Sequence, residues 1–183
     1  MPKFSFLIFL IIFINQANAD NKQKIISNFQ TINNLIFDFE QNINGKIENG
    51  SCIVEYPKRI FCKYNSQNNK ILVSNGKSIV IKTNSGSYYR YQLEDTPLNF
   101  ILDKEYLLKE IKELKEKIIK DELLSYSINK DELNINIFFD KNNLNLVGWQ
   151  TLDIYQNLSV TQLFNIVINQ KIDTNKFKLP SPN

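Results

Sequence analysis

The stretch Ser51-Cys52-Ile53-Val54-Glu55-Tyr56-Pro57-Lys58-Arg59-Ile60-Phe61-Cys62-Lys63-Tyr64 decides how the chain is read. Apolar and polar side chains alternate on both sides of the Pro57-Lys58 turn, so the segment is expected to be a two-stranded hairpin. In the register centred on that turn, Val54 faces Ile60, Glu55 faces Arg59, and Cys52 faces Cys62. Cysteines directly opposite one another can reach the Cβ separation a disulfide needs. The alternative is two reduced thiols packed as small hydrophobes. A metal site is disfavoured, because two sulfurs in a chain without histidine supply too few soft ligands.

The same alternation extends outward from the hairpin. Upstream, Leu35 to Ile43 places Leu35, Phe37 and Phe39 on one side, and Asn44-Gly45 turns the chain. Before it, Ile25, Ile26, Phe29 and Ile32 recur at helical spacing and predict an amphipathic helix over Lys22 to Asn34. Downstream, strands are expected at Lys70 to Ser74, Lys77 to Thr83 and Ser87 to Leu93, separated by turns such as Asn75-Gly76. Thr96-Pro97-Leu98-Asn99-Phe100-Ile101-Leu102 interrupts the meander as an apolar helix, with Thr96 as its cap. A charged helix follows, with Leu107, Leu108, Ile111 and Leu114 on one face and Glu105, Lys109, Glu113 and Lys117 spaced for ion pairs. Strands then return at Leu123 to Asn129, Leu133 to Phe139, Leu144 to Ile154 and Ser159 to Gln170, with a turn near Lys130-Asp131. A helix, a meander, a helical insertion and a second meander predict an α+β barrel covered on one side.

At the N-terminus, Lys3 precedes an apolar block from Phe4 to Ile14, and Ala17-Asn18-Ala19 offers small residues where signal peptidase needs them. Residues 1–19 are therefore read as a signal peptide and residues 20–183 as one domain, too short in its apolar block for a spanning helix. Without Lys3 the 22 basic residues become 21 against 19 acidic. They are scattered, which gives no reason to expect nucleic acid as a partner. With no histidine and five glycines in 183 residues, most catalytic triads, zinc sites and phosphate loops are disfavoured. The carboxylate pairs Asp121-Glu122 and Asp131-Glu132 sit among lysines and read as solvated charge. No catalytic residue and no cofactor is expected, and the chain is not read as an enzyme.

As a whole the mature chain resembles the outer-membrane lipoprotein carrier family, LolA. The resemblance is carried by Phe37-Asp38-Phe39-Glu40-Gln41 with its Asn-Gly turn, Val54-Glu55-Tyr56-Pro57, Leu72-Val73-Ser74-Asn75-Gly76-Lys77, Thr96-Pro97-Leu98 and Phe177-Lys178-Leu179-Pro180. It implies an unclosed antiparallel β-barrel of about 10 to 11 strands with a helical lid. It also implies a periplasmic carrier of acylated lipoproteins, monomeric, working between an inner-membrane ABC-type releasing complex and an outer-membrane acceptor. The acyl chains would lie among Leu35, Phe37, Phe39, Val54, Tyr56 and Ile60 on the sheet, Leu98, Phe100 and Ile101 on the lid, and Trp149. A lipoprotein-sensing module and a carrier of another lipid are the alternatives. Where family members commonly carry a lid-contacting arginine before the hairpin proline, this chain has Tyr56, which implies a different control of the lid.

Overall fold

Alternation along the chain becomes a single antiparallel sheet. In the computed structural model, which describes residues 14–66, 68–130, 133–152 and 156–182, the first meander is β1 (Asn34–Ile43), β2 (Lys46–Glu55), β3 (Arg59–Tyr64), β4 (Ile71–Asn75), β5 (Ser78–Lys82) and β6 (Tyr88–Gln92). The second is β7 (Lys117–Ile119), β8 (Leu123–Lys130), β9 (Leu133–Asp140), β10 (Leu146–Leu152) and β11 (Leu158–Ile168). Their order is β6-β5-β4-β3-β2-β1-β11-β10-β9-β8-β7, so β1 against β11 joins the meanders and the sheet does not close. Residues 1–13 of the expected leader, the Lys130-Asp131 turn and the Asp131-Glu132 pair fall wholly or partly outside the described residues.

The hairpin takes the expected register. Cys52 pairs with Cys62, Val54 with Ile60 and Glu55 with Arg59, and the two cysteines form a disulfide. Gly50 sits where β2 and β3 crowd: a Cβ there would lie 2.2 Å from the Lys63 carbonyl oxygen, closer than any side chain tolerates.

Helices occupy the places where the chain leaves the sheet. Helix α1 (Ile14–Gln30) precedes β1, and α2 (Leu98–Ile101) with α3 (Lys104–Glu113) runs between β6 and β7. Two lysines hold α1 and α3 antiparallel. Lys104 donates to the Gln30 and Ile32 carbonyls at 3.0 and 2.8 Å, and Lys22 donates to those of Lys112 and Leu114 at 3.2 and 2.6 Å. Each cation sits on the carbonyl end of the opposite helix, where unpaired oxygens and the helix dipole favour positive charge. Ile25, Ile26 and Phe29 of α1 and Leu107, Leu108 and Ile111 of α3 are buried in one cluster with the inner sides of β8 and β9.

Three local expectations are corrected. The first helix stops at Gln30 because Asn34 is already paired with Glu55 in the sheet. Thr96 does not cap α2: it closes a 3₁₀ turn at Leu93–Asp95, its hydroxyl donating back to the Leu93 carbonyl at 2.8 Å, and the side chain that caps the next helix is Asp103, which accepts from the Tyr106 amide of α3. The charged helix ends at Glu113, and Ile118 belongs to β7, a strand the alternation was too short to announce. Lys117 is therefore on a strand, and Glu113 has no helical partner there. At the C-terminus a 3₁₀ turn, Thr174–Phe177, lies on the outer side of β3, with the Arg59 guanidinium 5.4 Å from the Phe177 ring.

Candidate functional site: a lidded cavity

The period of two fixes which side chains enter the sheet's interior. On β1, Leu35, Phe37 and Phe39 are buried while Asp38 and Glu40 are exposed. Over β8 and β9 these inward residues pack in one cluster with α1 and α3 and are sealed from solvent: Leu124, Tyr126, Ile135, Ile137 and Phe139 are 0% exposed. Under α2 the filling stops, and a cavity of about 260 Å³ opens.

Its floor is Phe37 and Phe39 of β1, the Cys52–Cys62 disulfide, Ile60 and Tyr64 of β3, Leu72 of β4, Ile79 and Ile81 of β5, and Tyr91 of β6. Pro97, Leu98 and Ile101 cover it. Trp149 closes one side, with its ring edge-on to Phe37 at 6.3 Å, and Phe39 meets Tyr64 edge-on at 5.0 Å. Such contacts hold the rings in place without filling the space between them. Burial pushes the Tyr64 phenol above its ordinary value, and the neighbouring Glu48 charge adds to this. The phenol therefore stays neutral at neutral pH.

One end of the cavity is polar. Gln41, Thr151, Ser159 and Thr161 line it, and the Gln41 amide donates to the Ser159 and Thr161 hydroxyls at 3.0 and 3.3 Å. Beside it, Lys70 and Lys46 bind Glu48 at 2.5 and 3.1 Å. Burial raises the Glu48 carboxyl, but the two lysines outweigh it and hold the group below its ordinary value.

Of the residues expected to contact cargo, Phe37, Phe39, Ile60, Leu98, Ile101 and Trp149 line this space. Leu35 and Val54 are cross-strand partners buried in the core. Tyr56 stands edge-on to Phe29 of α1 at 5.6 Å, and Phe100 packs on Tyr106 of α3 at 5.1 Å. For Leu35 and Val54, strand parity assigns a face but not a position along it. The same parity could have named Gln41, Ile43, Leu72 and Ile79; only the three-dimensional packing tells hollow from solid. Lid contact passes through Lys58, one turn residue beyond Pro57. Its amide donates to the Leu102 carbonyl at 2.8 Å, and its ammonium lies 3.3 Å from Asp103 Oδ2.

Among the described residues no helix is long and apolar enough to cross a membrane. The fold is similar to an uncharacterized conserved protein from Thermus thermophilus (TM-score 0.52, 6% identity, 88% of this chain and 94% of that one). It is similar also to a putative outer membrane lipoprotein-sorting protein domain from Vibrio parahaemolyticus (0.50, 6%, 88% and 96%). MucB matches at 0.50 and 11% identity over 92% of this chain, which spans 65% of MucB. At these identities the likeness speaks to fold alone. No curated protein matches the sequence. The model of the family described as outer membrane lipoprotein carrier protein LolA matches residues 30–180, nearly the whole folded part, and the chain belongs to that family.

Proposed function

We propose that this protein is a periplasmic carrier, exported by a leader over residues 1–19, that takes up the acyl chains of lipoproteins leaving the inner membrane and gives them up at the outer membrane. The observation that carries this reading is the hollow under α2, walled mostly by hydrocarbon and aromatic side chains. Each methylene resists water by about 0.8 kcal/mol, so a lipidated cysteine with long chains needs a shelter to cross an aqueous space. At about 260 Å³ the cavity is smaller than the roughly 300–1,000 Å³ of pockets that hold drug-sized ligands. Full-length chains therefore require α2 to lift. Lifting exposes Leu98 and Ile101, a cost that entering hydrocarbon offsets, so cargo and lid compete for the same apolar wall. The proposed partners are acylated lipoproteins, an inner-membrane releasing complex and an outer-membrane acceptor.

The test is affinity purification from periplasm followed by mass spectrometry of what comes with the protein. Triacylated lipoproteins are expected. Free lipid alone would replace this reading with a carrier of another lipid, and a stoichiometric inner-membrane regulator would replace it with a sensor. In parallel, Leu98→Glu and Phe39→Asp should weaken uptake of a triacylated lipopeptide more than they lower the melting temperature. Equal loss of both would count against the cavity as the binding site.

A further inference from the structure

The cavity is not uniformly greasy, and its polar end has a definite address. Thr151 of β10 pairs with Ser159 of β11, Trp149 with Thr161, and Thr161 and Ser159 with Gln41 and Ile43 of β1. Thr151, Ser159 and Thr161 thus stand side by side on the inner face, buried at 8, 5 and 4% exposure. All lie at one rim of the sheet, where β1 and β10 end and β2 and β11 begin. Buried hydroxyls cost free energy unless they find partners. Gln41 supplies one to Ser159 and one to Thr161 by donating to them, which leaves each hydroxyl its own hydrogen to give.

We propose that this rim is a subsite for the acyl carbonyl of the cargo, the ester or amide at the head of each chain, so that lipid enters tail first and stops with its linkage against Ser159 and Thr161. This rests on the acyl-carrier reading above and adds a polarity to it. A neutral carbonyl fits better than an anion, because the adjacent Lys70 is already engaged by Glu48 at 2.5 Å. Cross-strand pairing alone would account for threonine and serine on an outer face, where water satisfies them. Here they face the hollow under α2, whose wall is otherwise mostly hydrocarbon. A few placed donors at the end of an apolar pocket orient a ligand without adding much to its affinity.

The experiment uses the full chain carrying a fluorescent hydrophobic dye. A monoacylglycerol is titrated against the 1-O-alkyl ether of the same chain length, in which a methylene replaces the carbonyl. The expected result is a preference for the ester of about tenfold, the worth of one or two hydrogen bonds. Ser159→Ala with Thr161→Val should abolish that preference by bringing ester binding down to the level of the ether. Equal binding of ester and ether by the unmodified protein would overturn the subsite, and so would a variant that weakens both lipids alike. The unmodified protein answers the question even if the double variant unfolds. Displacement by both lipids without discrimination sinks the subsite and leaves the carrier reading standing. Displacement by neither sinks both.

Discussion

The two ends of one sheet treat the same kind of residue in opposite ways. Over β8 and β9, isoleucine, leucine, tyrosine and phenylalanine meet α1 and α3 and are sealed at 0 to 1% exposure. Over β3, β4 and β5, residues of the same class face a hollow; Leu72, at 8% exposure, lines it. The difference lies in what is laid on top. Helix α3 is ten residues long and shares its contact with α1, whereas α2 has four residues and covers alone. Apolar composition therefore sets how much surface wants to leave water, and the length of the covering helix sets whether protein covers it or a hollow remains.

The sharpest way to break this comparison is to remove one ring from each end. Phe139→Ala should cost about 3–5 kcal/mol in urea unfolding, since it leaves a void in close packing. Phe39→Ala should cost well under half of that, because its ring already borders empty space. Equal costs would mean that the hollow closes in solution. A smaller effect comes from the disulfide that lines the cavity floor: with the cysteines ten residues apart, Cys52→Ala with Cys62→Ala should lose about 2–3 kcal/mol. The loss is expected without change to the Phe139 side of the core, read by hydrogen exchange on β8 and β9.

Control of the lid can be sharpened with Lys58→Ala. Its pair with Asp103 is about one third exposed at both ends, so stability should fall by about 0.5 kcal/mol or less. Dye entry and release, followed by stopped flow, should nevertheless accelerate severalfold, and unchanged rates would remove Lys58 from the lid's control. The smallest effect is expected from Glu48→Gln. Because Lys70 and Lys46 lower the folded-state value of this carboxyl, its contribution to stability is present above the ordinary carboxylate range and is lost as pH falls through the lower, folded value. Melting curves of wild type and variant should differ by about a degree at about pH 6 and converge as the pH falls below the ordinary carboxylate range. Curves that stay apart in acid would show that the pair does not govern the difference.

Much of this was written in the order of the residues. The Cys52 to Cys62 register followed from a short turn and two clean alternations, and the α+β barrel followed from strand spacing around a helical insertion. The hollow itself was not legible, since Phe39 and Leu35 carry the same pattern on the same strand and only one of them borders it. Strand β7 and the end of α3 escaped for a related reason: three residues are too few for a period of two to stand out from a helical stripe. The polar rim escaped because Ser159 and Thr161 look like ordinary strand residues until their side of the sheet is known. Tyr56, which stands where the family resemblance places a lid-contacting arginine, meets Phe29 of α1 edge-on, and the neighbouring Lys58 reaches the cover.

The chain enters α2 and α3 from β6 and leaves them into β7, the two margins of the open sheet. A flap hinged on one side could swing away and be lost to solvent; this one is stitched at both hems. Any movement of this cover would also pull on the margins of the sheet, so roof and mouth are mechanically coupled.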